Sequence, residues 1–301
     1  MKGKILSIQS HVVHGYVGNK AATFPLQYKG WDVDAINTVQ FSNHPGYGHF
    51  SGFRSTPEEL EEIIEKGLLK GLDIKYDAVI TGYLPSVEGL SRVWKLIKRM
   101  EESTPGLKVI VDPVLGDNGR LYVPEETVPI YRDILKQSRV FLATPNQFEI
   151  ETLTGVAITD QKTLKASIDR FHELYPRVDN VIATSVVLPA LKDVCLISAC
   201  SDYETRSAFF FEVPKIGAHF SGSGDLLSAL LLDALVPGQQ DLVTALNKSL
   251  SLVESILQRT YELNELALKL ESPKKINDLK LIECRDLLKV DPPLKYTPQQ
   301  L

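Results

Sequence analysis

The residues with the clearest chemical potential are Phe220-Ser221-Gly222-Ser223-Gly224-Asp225, which run straight into the apolar stretch Leu226 to Leu235. A glycine-spaced turn opening a helix leaves backbone amides without intrahelical acceptors, at the positive end of the helix dipole, and so makes a place for an anion. Asp225 is the odd member. A carboxylate beside a bound phosphate is repelled by it, whereas a carboxylate that takes a proton from an attacking hydroxyl belongs there. Taken alone, the motif also reads as a helix whose cap is Ser223 or Asp225.

The elements around it alternate. Short β-rich runs at 4–9, 32–39, 77–82, 108–112, 139–143 and 180–186 are separated by helical patterns at 18–28, 57–70, 86–101, 125–137, 146–154 and 160–174. That order predicts a parallel sheet covered on both faces, an α/β domain of three layers. Runs at 192–199 and 204–212 have no helix between them and read as an antiparallel pair at one edge. Helices are expected from 223 and near 240–264. One domain is taken as 1–270, and the charged, proline-bearing extension 271–301 is expected to pack loosely on its surface.

Composition narrows the classes. The chain has 301 residues, 44% hydrophobic and 24% charged, with a net charge of −5, which is ordinary for a globular protein with a sizeable core. No basic block suggests a nucleic-acid or membrane footprint, so neither partner is expected. Cys195, Cys200 and Cys284 lack metal-type spacing and fit a reducing, cytoplasmic or nuclear compartment.

In open α/β sheets ligands collect beyond the carboxyl ends of the strands, and the polar clusters fall there. They are Ser7-Ile8-Gln9-Ser10-His11-Val12 with Gly15-Tyr16-Val17-Gly18-Asn19, Val39-Gln40-Phe41-Ser42-Asn43-His44, Thr81-Gly82-Tyr83, Asp112-Pro113-Val114-Leu115-Gly116-Asp117, Thr144-Pro145-Asn146-Gln147-Phe148-Glu149, and Thr184-Ser185. Asn, Gly, Pro and Asp punctuate ordinary turns, so each cluster alone is compatible with plain loop chemistry. Asp112 alone reads as a turn aspartate before Pro113, Glu149 as a first-turn helix acid, and Phe41 and Val39 as core.

Together these segments, from about Lys4 to Thr260, resemble the ribokinase superfamily and, within it, the pyridoxal kinase family. The resemblance implies a ribokinase-like fold and ATP-dependent phosphorylation of the 5′-hydroxymethyl group of pyridoxal, and of pyridoxine and pyridoxamine to some degree. It implies a divalent cation such as Mg2+, a monovalent cation such as K+, and a homodimer. By the same resemblance Asp225 is the catalytic base, and the amides of Gly222, Ser223 and Gly224 form the anion hole. Relatives often carry Thr in place of Ser223. Asp112 and Glu149 are acidic groups around the metal and phosphates. Asp117, Thr144, Asn146, Thr184 and Ser185 serve the nucleotide, with Ile216 and Phe220 beside the adenine. Ser10, Val17, Val39, Phe41, His44, Tyr83 and Tyr122 hold the vitamer. The segment Asn118-Gly119-Arg120-Leu121 matches a lid, shorter than in some animal relatives. Pro45 replaces a Thr found in some of them, and His14 receives no role. Two other readings stand beside this one: a hydroxymethylpyrimidine kinase, and a catalytically silent pyridoxal phosphate-binding member.

Overall fold

The computed structural model describes residues 2–238, 240–268 and 275–301. In chain order the elements are β1 (Lys4–Val12), α1 (Asn19–Tyr28), β2 (Asp32–Phe41), β3 (Gly52–Arg54), α2 (Pro57–Glu61), β4 (Ala78–Thr81), α3 (Val87–Ser103), β5 (Lys108–Val111), β6 (Gly116–Asp117), β7 (Arg120–Leu121), α4 (Thr127–Gln137), β8 (Val140–Ala143), α5 (Gln147–Thr154), α6 (Gln161–Leu174), β9 (Val178–Val186), β10 (Cys195–Asp202), β11 (Ala208–Pro214), β12 (His219–Phe220), α7 (Ser223–Leu235), α8 (Leu242–Leu268), β13 (Lys275–Ile276) and β14 (Gln299–Gln300). Beyond α2 the chain continues as a π-helix, Glu62–Gly71.

One sheet of ten strands organises the molecule, in the order β14-β11-β10-β9-β8-β5-β4-β1-β2-β3. The pairs between β2 and β9 are parallel. The antiparallel strands β10, β11 and β14 close one side and β3 the other. The expected three-layer α/β architecture with an antiparallel edge therefore holds, with a short antiparallel strand at the far edge as well.

Strand alternation builds two cores. Val79, Val109 and Val111 face one side, with α3, α4, α5 and α6. Ala78, Ile80 and Ile110 face the other, with α1, α7 and α8. Both faces are buried, so these strands read as continuous apolar runs rather than alternating ones. Helix α7 is apolar around its whole circumference because α1 and α8 enclose it. Near its far end Asp233 accepts from Lys2 Nζ (2.6 Å) and Trp31 Nε1 (2.8 Å) and faces Lys29 Nζ at 3.2 Å.

Two expectations shift. The run expected as a strand from 192 begins at Cys195, because Leu188–Val194 spends its backbone on turns: Leu191 N donates to Leu188 O and Val194 N to Leu191 O. The C-terminal segment is not loosely packed. Ile276, Leu279, Leu281, Cys284 and Leu288 are each at most 3% exposed, and the last four belong to the α7–α8 core. Residues 269–274, which span the expected boundary at 270, lie outside the described residues.

Candidate active site

The parallel strands deliver their carboxyl ends to one rim, and a cavity of about 250 Å3 opens there. Asp112, Asp117, Tyr122, Thr144, Asn146, Glu149, Thr184, Ser185, Phe220, Gly222, Ser223, Gly224 and Asp225 all line it. Sequence reasoning drew these residues from five separate segments. Of the nucleotide set, Ile216 alone stands outside this lining; it is half-buried on the loop before β12.

The turn into α7 is held in an unusual shape. Gly222 caps the helix in the left-handed region at φ 86, and a Cβ there would lie 2.1 Å from Tyr16 O. Glycine is therefore obligatory at this position. A Cβ at Gly224 would meet nothing within 4 Å. That opening lets an external group come close to the first-turn amides, which are the donors an anion hole needs.

Asp225 sits in the first turn and accepts from Gly18 N at 2.8 Å. Burial pushes its carboxyl up to about 6, and the Gly18 amide pulls against that rise. A carboxylate poised there is ionised near neutrality and still basic enough to take a proton. Gly18 is fixed in turn. Its φ of 54 and ψ of −131 suit glycine alone, and a Cβ would lie 2.2 Å from Ser10 O. Beneath it, Asn19 Nδ2 donates to Ile36 O (2.8 Å) and Asn37 Oδ1 (2.9 Å), while Ser7 Oγ donates to Asn19 Oδ1 (2.7 Å). This buried polar network locks the start of α1, and through it the Asp225 carboxylate.

The acidic side of the cavity is organised by a capping box. Asn146 Oδ1 accepts from Glu149 N (3.0 Å) and Glu149 Oε2 accepts from Asn146 N (2.8 Å). Glu149 Oε1 accepts from Leu115 N at 3.0 Å, so the same side chain ties α5 to the β5–β6 loop. Glu149 is thus both a helix cap and a cavity wall. Burial raises the Glu149 carboxyl well above the usual carboxylate range, opposed by these amides. Burial, then the charges of Glu149 and Asp225, raise Asp112 strongly. Ser185 adopts φ 53, a left-handed backbone uncommon outside glycine and often found where a site is built. Thr144 Oγ1 and Ser228 Oγ, 3.1 Å apart, tie β8 to α7 beneath the turn.

Strands β6 and β7 form a small hairpin. Its turn residues Asn118 and Gly119 both have positive φ, 50 and 73, as an Asn-Gly hairpin turn requires. The hairpin places Asp117 and Tyr122 on the cavity, while Arg120 is exposed and outside its lining. Tyr122, assigned to the vitamer from the sequence, stands 57% exposed on this same cavity.

The remaining vitamer residues gather next door. Val12, Val17, Val39 and Phe41 form a separate buried cluster, with Tyr83 packed against it. Phe50 stacks on Phe41 at a centroid distance of 4.6 Å. The cluster touches the anion turn through Val17, whose Cγ1 would lie 3.4 Å from a Cβ on Gly222. Ser10 lies beside Gly18, which holds Asp225: its Oγ would be 2.4 Å from a Cβ on Gly18. His44 Nδ1 accepts from Gly46 N at 3.1 Å, so in the neutral ring Nε2 carries the proton. Burial and Lys275 lower the pKa of His44, which favours that neutral form. Pro45 occupies the first position of a 3-10 turn, Pro45–Tyr47, where its fixed φ is an advantage.

Sequence reasoning missed Gly18 as the holder of the base, together with Val12, Phe50 and Ser228. Gly18 was visible inside the Gly15–Asn19 motif, but nothing local showed that its amide meets a residue 207 positions away.

The family profile described as phosphomethylpyrimidine kinase matches residues 36–271. BUD17 of Saccharomyces cerevisiae is 53% identical over 296 residues, covering 96% of this chain and 93% of that protein. Pyridoxal kinase of Sus scrofa is 39% identical over 271 residues, covering 86% and 83%. The structure of pyridoxal kinase from Leishmania donovani in complex with ADP and ginkgotoxin superposes with a TM-score of 0.86 at 32% identity, covering 99% of each chain. A family profile over most of the chain, and relatives more than 30% identical matched over most of their length, place the chain in the pyridoxal kinase family of the ribokinase superfamily.

Proposed function

We infer that this protein transfers the γ-phosphoryl group of ATP to the 5′-hydroxymethyl group of pyridoxal, with pyridoxine and pyridoxamine as further acceptors. The carrying observation is the contiguity of three parts. The Asp225 carboxylate is held by Gly18 N, the open turn at Gly224 lies beside it, and the Val12–Val17–Val39–Phe41–Tyr83 cluster meets that turn through Val17, whose Cγ1 would lie 3.4 Å from a Cβ on Gly222. In the reaction Asp225 takes the proton of the acceptor hydroxyl as its oxygen bonds to phosphorus. The turn amides meet the charge on the transferring group, and ADP leaves. Structures of the Leishmania donovani enzyme with ADP and pyridoxamine, and with ADP and pyridoxine, support the same pairing of ligands here.

A divalent cation fits the donor set. Asp112, Glu149 and Asp225 crowd one cavity, and burial followed by the charges of the other two raises Asp112. Among the described residues no group of three or more His, Cys, Asp or Glu side chains could hold an ion by itself. That suits Mg2+, which keeps waters and leans on substrate phosphates. Asp112 would hold it directly or through water. Glu149, its oxygens already committed to Asn146 and Leu115, would do so through water. When bound, the ion neutralises phosphate charge. A monovalent cation such as K+, a homodimer and a cytoplasmic, also nuclear, location complete the proposal. The buried free thiols of Cys195, Cys200 and Cys284 are in keeping with a reducing compartment. No described helix is long and apolar enough to cross a membrane.

The test is phosphate transfer from ATP to pyridoxal, pyridoxine, pyridoxamine and hydroxymethylpyrimidine by purified protein with Mg2+. Turnover of the B6 vitamers well above the pyrimidine is expected. Preference for the pyrimidine, or no turnover of any acceptor, would overturn the assignment.

A further inference from the structure

The 3-10 turn Pro45–Tyr47 buries no side chain. Apolar packing therefore does not fix its position, although His44 at its start is one of the residues that the resemblance assigns to the acceptor. Its polar ties lead to one place, the segment just after α8. Tyr47 Oη donates to Asp278 Oδ2, and Lys275 Nζ donates to Gly46 O. His14 Nε2 lies 3.4 Å from the same Asp278 oxygen. The other carboxylate oxygen, Oδ1, is buried without a hydrogen-bond partner among the described residues. It rests on Gly15, where an added Cβ would lie only 2.0 Å away and where φ is 92.

The segment is also anchored on its far side. Strand β13 pairs in parallel with β12, and Ser221 N donates to Ile276 O at 3.1 Å, directly before the anion turn. Residues 275–278 thus bridge two things: the strand that leads into Gly222–Asp225, and the loop that carries His44. They lie beyond the residues matched by the family profile, which ends at 271.

We propose that Asp278 is a positioning residue for the acceptor: through Tyr47 it holds the 43–49 loop, and with it His44, against the vitamer pocket. The proposal rests on the functional reading above. It assigns to this C-terminal segment a role in acceptor recognition, separate from nucleotide binding. Because Gly46 N donates to His44 Nδ1, a displacement of Gly46 or Tyr47 carries the imidazole with it. The Tyr47–Asp278 bond is charge-assisted, the stronger class of hydrogen bond, and it joins residues 231 positions apart.

The test compares Asp278→Ala, Asp278→Asn, Tyr47→Phe and the double variant Tyr47→Phe/Asp278→Ala with wild type. Asp278→Ala and Tyr47→Phe should each raise KM for pyridoxal by about tenfold, the scale of one charge-assisted bond. Their kcat and KM for ATP should stay within about twofold. Asp278→Asn keeps an acceptor for Tyr47 and should recover most of the loss. The double variant should be no worse than either single one, because both remove the same bond. Amide hydrogen exchange at residues 46–48, without ligand, should be faster in Asp278→Ala. Additive effects in the double variant, or KM values for ATP and pyridoxal rising together with a lower Tm, would overturn the proposal and leave Asp278 a structural strap. Wild-type turnover with unchanged kinetics and exchange in Asp278→Ala would overturn it too. Absence of pyridoxal turnover in wild type refutes the functional reading instead, and the exchange comparison still decides whether the latch exists.

Discussion

Acidifying the solution should switch off catalysis through Asp225. Burial pushes this carboxyl up to about 6, against the pull of Gly18 N. A base works only when ionised, so activity is present above that value and lost as the pH falls through it. With a pKa near 6, roughly nine-tenths of the group is ionised at pH 7 and roughly one-tenth at pH 5, so kcat/KM for pyridoxal should fall about tenfold between those values. The quantity to measure is kcat/KM, since it reports the unliganded acceptor site, whose electrostatics the structure shows. Asp225→Asn isolates the group. The amide has nearly the same shape and its oxygen can still accept from Gly18 N, but it cannot take a proton. Its kcat should fall by about 10²–10⁴, the usual scale for losing a positioned base. Calorimetric affinities for ATP and pyridoxal should stay within a few fold. The residual rate should be nearly flat from pH 5 to 7. The assay is ADP release followed across that range for both proteins. A variant retaining more than about a tenth of wild-type turnover, or one that keeps the acid limb, would reduce Asp225 to a helix cap.

Gly18→Ala brings a Cβ within 2.2 Å of Ser10 O at a backbone that only glycine adopts. The Asp225 contact should loosen, kcat should drop about ten- to a hundredfold, and the acid limb should move to higher pH, since the Gly18 amide is what lowers the Asp225 pKa. Glu149→Gln should raise the Mg2+ concentration needed for half-maximal activity; a cation titration that overlays wild type would remove Glu149 from the metal's surroundings. Ser10→Ala and Tyr83→Ala should weaken pyridoxal binding about ten- to a hundredfold, the scale of a lost buried hydrogen bond or packing contact, with ATP affinity unchanged by calorimetry. Parallel loss of both ligands with a lower Tm would show that these side chains support the fold.

The sheet was readable because its parallel strands are buried on both faces. Val79, Ile80, Val109 and Ile110 appear as unbroken apolar runs, and the polar clusters follow them. The nucleotide cavity was readable for the same reason, since each of its walls begins where a strand ends. What stayed hidden depends on distant partners. Strands β12 and β13 have two residues each, and neither shows a pattern of its own. Leu279, Leu281, Cys284 and Leu288 are interspersed with charged residues, so a buried face looked like surface. The strand expected from 192 starts at Cys195, because the Val194 amide closes a turn on Leu191 O. Tyr47 and Asp278 are each unremarkable in sequence and meaningful only as a pair.

The bond between Gly18 and Asp225 also bears on how the molecule acquires activity. Most of the parallel sheet grows by neighbouring strand-helix-strand steps, each closing a modest loop. The base reaches its holder only when α7 docks on α1, closing a loop of 207 residues. Long-range closures are entropically late events in folding. During refolding, helical signal and much of the sheet should therefore return before any catalytic turnover does. Regain of activity becomes a clock for the docking of the two ends of the domain. A partly folded population, however rich in native strands, would be invisible to an assay of phosphoryl transfer.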